Sequence, residues 1–147
     1  MNKLMAQIIK FGFVGGICFL IDFAISTGIF HFLQSVIDKN IAVVISTALG
    51  FVISVVVNYI LSMKFVFDRR DDLSKRKEFV VFVVLSIGGL VISEIITLIC
   101  NGVYTNNGWL VNNISDTIWY GFSRVVSTAV VMVYNFISRK IFLEKKN

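Results

Sequence analysis

Proline is absent from this chain of 147 residues, histidine occurs once and cysteine twice. Without proline, no residue removes a backbone donor or forces a kink, so long helices can run unbroken. The lone histidine, His31, lies at the edge of an apolar run, where an amphipathic ring commonly sits, and no cluster of metal-ligand residues accompanies it. Cys18 and Cys100 each sit in apolar sequence, at depths expected to place them in opposite leaflets, which excludes a disulfide between them. No paired acids facing a cleft and no glycine-rich phosphate loop are present, so the chain reads as a non-enzyme that needs neither cofactor nor metal. Charge is also scarce: 16% of residues are Asp, Glu, Lys or Arg, and they cluster, leaving long stretches with almost none.

What fills those stretches is apolar: 56% of the chain, with 14 phenylalanines and a mean hydropathy of +0.83. A helix needs about 20 mainly apolar residues to cross the hydrocarbon. Of Asp, Glu, His, Lys and Arg, only Asp22 and His31 occur between Lys10 and Asp38, and none occurs between Lys39 and Lys64. Of the same types, only Glu94 occurs between Glu78 and Asp116, and only Arg124 between Asp116 and Arg139. The expectation is an all-α membrane protein, a single domain of four spans at about 11–33, 41–63, 79–100 and 117–138. The first run is too long for a signal-peptide core and reads as retained. The linker 101–116, with Asn106, Asn107, Gly108, Asn112 and Asn113, reads as a turn-rich external loop. Within it Asn113-Ile114-Ser115 matches the short glycosylation acceptor pattern. Trp109, Trp119, Tyr104 and Tyr120 read as an outer interfacial belt.

Lys and Arg accumulate on the cytoplasmic side of short loops. Lys3 and Lys10 precede span one; Lys64, Arg69, Arg70, Lys75, Arg76 and Lys77 lie between spans two and three; Arg139, Lys140, Lys145 and Lys146 close the chain. Lys39 stands alone on the other side, so both termini and the central loop are expected in the cytoplasm. The net charge of +5 therefore points to phospholipid head groups and not to nucleic acid.

An ionisable group within the hydrocarbon costs at least about 2.5–3.5 kcal/mol, so Asp22, Glu94 and Arg124 each need a partner or a wet cavity. Counted from the cytoplasmic ends, the three fall at similar depth and are expected to form one charge network. Span two carries Ser46, Gly50, Ser54, Asn58 and Ser62 at intervals of four, and span four carries Ser123, Ser127, Val131, Asn135 and Arg139. Small residues so spaced let helices approach closely. The two asparagines, each above a cation, Lys64 or Arg139, would suit a phosphate at head-group level, or would bond helix to helix. The halves echo each other: Gly15-Gly16 and Asp22 against Gly88-Gly89 and Glu94, and Asn58-Tyr59-Ile60 against Asn135-Phe136-Ile137. The expected arrangement is two helical hairpins related as a parallel repeat.

The segment from Phe11 through Gly15-Gly16 to Asp22, the segment from Asn58 through Lys64 to Phe67 and the closing Asn135-Phe136-Ile137-Ser138-Arg139-Lys140 resemble the GtrA-like family of small four-span proteins, and Arg124 matches a basic position of that family. The resemblance implies translocation of a polyprenyl-phosphate-linked monosaccharide, such as one on undecaprenyl phosphate, across the bacterial cytoplasmic membrane for cell-envelope polysaccharide or teichoic-acid glycosylation. The polar stripes, the cations at the inner boundary and the mid-membrane arginine agree with it and make Asn58, Lys64, Arg124, Asn135 and Arg139 the expected substrate residues, with membrane glycosyltransferases, the lipid-linked sugar and a second copy of the chain as expected partners. Two alternatives carry different chemistry: a non-transporting subunit that stabilises or recruits a glycosyltransferase, and a small multidrug or cation exporter. The one-sided Lys and Arg count disfavours the exporter. Thiol labelling tests the orientation: in intact cells an impermeant reagent should modify Asn112→Cys and leave Asp72→Cys untouched, and the reverse pattern would invert the topology.

Overall fold

A computed structural model describes residues 1–146. Five α-helices follow one another: α1 (Lys3–Leu33), α2 (Lys39–Leu61), α3 (Lys75–Thr105), α4 (Gly108–Asn113) and α5 (Asp116–Leu143), and α2 ends in a π-helical turn, Ser62–Val66. Among the described residues four helices are long and apolar enough to cross a membrane: α1, α2 with its π turn, α3 and α5. The helices overrun the expected spans because polar caps, and not the edge of the apolar run, terminate them. Asn2 accepts from Leu4 N–H to start α1, Asp38 accepts from Asn40 and Ile41 to start α2, and Ser74 Oγ accepts from Lys77 N–H. The linker 101–116 is not a loop throughout: Asn107 Oδ1 accepts from Trp109 and Leu110 N–H and opens the short α4. Asparagine reads equally as turn former and helix cap, which is why its clustering suggested a loop.

The chain forms two compact units, Met1–Phe79 with the tail from Leu143, and Val80–Phe142. In the first, α1 turns its Gln7, Phe11, Val14 and Cys18 face to the Ala42, Ser46 and Gly50 face of α2. The approach is close at Gly50, where a Cβ would run into Ser26 Oγ and Asp22 Oδ1 and come within 3.1 Å of the Asp22 carbonyl. One turn further on, Ser54 Oγ donates to the Cys18 carbonyl (3.1 Å). The tail closes this unit: Glu144 pairs in antiparallel fashion with Arg69, Lys145 N–H donates to Asp68 O (2.8 Å), and the Gln7 amide donates to both Val66 O (3.1 Å) and Glu144 Oε1. Leu143 and Glu144 are buried there.

The second unit is a hairpin of α3 and α5. Ser93 and Ser127 hydroxyls meet at 2.7 Å, and a Cβ on Gly89 would come within 2.9 Å of Asn135 Oδ1 and 3.3 Å of Val131 Cγ1. Matching these contacts to those of the first unit corrects the repeat. Gly50 and Ser54 correspond to Ser127 and Val131, as expected. Their partners Asp22 and Cys18, however, correspond to Ser93 and Gly89, so Glu94 answers to Phe23 and not to Asp22. The buried Gln7 and Phe11 likewise answer to the buried Glu78 and Phe82. Chemical similarity between Asp22 and Glu94 misleads by one residue, and one residue turns a helix by about 100°. The glycine echo fails for the same reason: Gly15 and Gly16 have nothing near a Cβ, whereas Gly88 and Gly89 are closed against Tyr134 and Asn135. Gly50→Ala should destabilise the protein by about 1–3 kcal/mol, while Gly121→Ala, where a Cβ meets nothing, should be neutral or stabilising. Thermal unfolding midpoints in detergent distinguish the two.

Candidate functional site

Of the five expected substrate residues, Asn58 and Lys64 belong to the first unit and Arg124, Asn135 and Arg139 to the second. Arg139 does not present itself to a head group. It is 2% exposed, its guanidinium lies 4.0 Å from the centre of the Phe82 ring, and Nη2 donates to Ser86 Oγ (3.0 Å). Ser86 in turn donates to the Phe82 carbonyl (2.8 Å). The register explains this: Arg139 continues the Ser123, Ser127, Val131, Asn135 line that faces α3, so its side chain is committed to the helix interface. Asn135 lies on the same line against Gly89, and its Oδ1 is buried with no hydrogen-bond partner among the described residues.

Arg124 and Glu94 show the opposite. Both are exposed, and among the described residues no ion pair joins them, contrary to the charge network the sequence suggested. Each is the residue immediately after a contact serine, Ser123 or Ser93. In antiparallel helices that step turns both side chains toward the same flank of the hairpin. An unpaired arginine and glutamate within a membrane span cannot face hydrocarbon without the penalty already given.

The same flank runs on into a cavity of about 400 Å³, lined by Thr97, Leu98, Asn101, Tyr104, Thr105, Asp116, Trp119, Tyr120 and Ser123. Here the expected aromatic belt divides. Trp109 and Tyr120 are exposed, but Tyr104 is buried, stacks on Trp119 (ring centres 5.7 Å apart) and donates to Asp116 Oδ1 (2.6 Å) and the Ile114 carbonyl (2.8 Å). Trp119 Nε1 donates to the Cys100 carbonyl (2.9 Å). No sequence pattern announces this cavity, because its lining comes from two helices whose mutual register decides it.

In the first unit, Asp22 is half-buried and accepts from Ser26 Oγ (3.1 Å). Asn58 Oδ1 accepts from Ser62 Oγ (2.9 Å), where α2 passes into its π turn. That turn, a frequent marker of functional positions, leaves Lys64 exposed, its ammonium 5.3 Å from the Phe65 ring centre. Beside it Tyr59 and Arg69 both reach the buried Glu78 carboxylate, at 2.7 and 2.9 Å. The burial of Glu78 is not apparent in the sequence, since a charged residue next to Lys75, Arg76 and Lys77 looks like a solvated surface. On the loop, Arg70 holds the Asp72 carboxyl below the usual carboxylate range through a hydrogen-bonded ion pair, and Asp71 raises the Lys145 ammonium in the same way.

The family model for the GtrA/DPMS transmembrane domain matches residues 10–143, all four long helices. The chain belongs to that family. No curated protein and no solved structure matches it. GtrA/DPMS membership makes the protein a multi-pass membrane protein of a family not known to be catalytic by itself, which is consistent with a membrane function related to polyprenyl-phosphate sugars. Within this GtrA/DPMS domain the burial of Arg139 generates a prediction opposite to that for an exposed phosphate ligand. Arg139→Gln removes a charged hydrogen bond and a desolvated cation–π contact, each worth about 2 kcal/mol, and should lower the folded yield and the thermal midpoint. Lys64→Gln should leave both unchanged, by fluorescence-detected size exclusion and thermal unfolding.

Proposed function

We propose that this GtrA/DPMS domain carries a polyprenyl-phosphate-linked monosaccharide from the cytoplasmic to the outer leaflet of a bacterial cytoplasmic membrane, supplying sugar for envelope polymers such as teichoic acids. The observation that carries this reading is Arg124, an exposed guanidinium partway along an apolar helix with no acid bound to it among the described residues. Ionisable residues so placed mark substrate paths, because only a polar ligand, water or another protein group can face them at tolerable cost. A guanidinium grips a phosphodiester through two parallel hydrogen bonds. In this scheme Arg124 holds the phosphate within the membrane. Glu94, on the same flank, repels the anion and limits its dwell time on Arg124. Asn58, half-buried, presents its amide at the entry level with Ser62 buried behind it, while Asn135 and Arg139 hold α3 against α5. The polyprenyl tail needs no site, since it stays in the lipid.

The test uses purified protein in vesicles containing a short-chain polyprenyl-phosphoryl hexose, whose accessible fraction is read by an impermeant oxidant of the sugar. Wild type should equilibrate the two leaflets, and Arg124→Gln, inserted in normal amount, should slow this at least tenfold. Equal rates in protein-free vesicles would end the transport reading. Loss of lipid-sugar synthesis in cells lacking the protein would then favour the subunit role.

A further inference from the structure

The cavity at the α4 end of the second unit has a composition that the translocation reading does not use. Its lining contains one charged residue, Asp116, and no cation, so a phosphate has no counter-charge there. Its polar groups are hydroxyls, an amide and a carboxylate. Tyr104 and Trp119 are committed to each other and to backbone carbonyls, and Thr97, Thr105 and Ser123 donate to carbonyls of their own helices. Left uncommitted among the described residues are the Asn101 amide, the second oxygen of Asp116 and the Tyr120 hydroxyl, beside aromatic rings. Hydroxyl donors and acceptors arranged around a ring with an apolar C–H face are what this set complements.

Position narrows the ligand further. On α3, Glu94, Leu98, Asn101 and Thr105 fall at i, i+4, i+7 and i+11, and on α5, Asp116, Tyr120 and Arg124 fall at intervals of four. The cavity and Arg124 therefore share one flank, with Tyr120 one turn, about 6 Å along the helix axis, from Arg124. That is the span from a glycosyl phosphate to the far side of one pyranose ring.

We infer that the cavity lined by Asn101, Tyr104, Asp116, Trp119 and Tyr120 is a binding site for one uncharged sugar ring, the one attached to the phosphate that Arg124 holds. The inference rests on the translocation reading for the identity of the phosphate, but sugar binding can be measured apart from transport. The site reads the sugar through the Asn101 amide and the Asp116 carboxylate, with Tyr120 closing over the ring. Arg124 lies outside the sugar contact.

The experiment uses the full chain in lipid nanodiscs and three probes, the methyl glycosides of glucose, galactose and N-acetylglucosamine. They are followed by saturation-transfer NMR and by the emission of Trp119 in a Trp109→Phe background. At least one glycoside should bind saturably in the millimolar range. Asn101→Ala and Tyr120→Ala, both at exposed side chains, should weaken it at least fivefold while the unfolding midpoint stays put. Arg124→Gln should bind the same glycoside unchanged yet fail in the vesicle assay. Absence of saturation by all three glycosides, or saturation unaltered in both variants, overturns the sugar site, as does binding of tetramethylammonium in place of the glycosides. Transport without glycoside binding leaves the translocation reading standing and removes this one; glycoside binding without transport does the reverse.

Discussion

Helices in hydrocarbon gain nothing from burying apolar side chains against each other, because lipid is as apolar as they are. They stay together through close backbone approach and through hydrogen bonds that have no better partner nearby. The two hairpins meet that constraint with different chemistry. Gly50 lets α2 lie against Asp22 and Ser26, whereas Ser93 and Ser127 exchange a hydroxyl contact at the equivalent level. Everything functional follows from the register so fixed, since it decides which polar residue enters the interface and which is left on the flank.

The four helices were legible because the bilayer imposes their length and because ionisable residues are so sparse between them. The small-residue line of α2 was legible too, and it faces α1 as its spacing implies. The register was not. Asp22 and Glu94 share a charge and a rough depth, and reading them as equivalents is natural in one dimension. Only the contacts of Gly50 and Ser127 reveal that Ser93 stands where Asp22 does. The linker misled for a different reason, since Asn107 caps a helix with the same side-chain oxygen that would have made a turn.

The arginines exchange roles relative to the pattern in the sequence. Arg139 sits at a helix end among other cations, where a head-group contact would be expected, yet it is packed on Phe82 and bonded to Ser86. Arg124 sits in the middle of a helix, where an arginine is expected to be paired, yet it is exposed. A buried guanidinium in a membrane hairpin replaces its hydration with fixed acceptors and a ring face, so it serves structure. An exposed one depends on whatever occupies the flank, so it serves a ligand or a partner. The difference arises from one step along α5: Arg139 is in phase with Ser127 and Ser123, and Arg124 is one residue out of it.

The flank that carries Arg124 is graded along its length. Toward α4 it offers an amide, hydroxyls, aromatic rings and a single carboxylate; at Arg124 it offers a cation, with Glu94 close in level. A neutral sugar and an anionic phosphate joined by one bond need these two environments in this order. If the flank merely bound the anion, a cluster of cations would serve better, and Asp116 and Glu94 would oppose it. If it passed cations, Arg124 would be the obstacle. The combination suits a head group that is neutral at one end and negative at the other, held by several weak contacts so that it can leave.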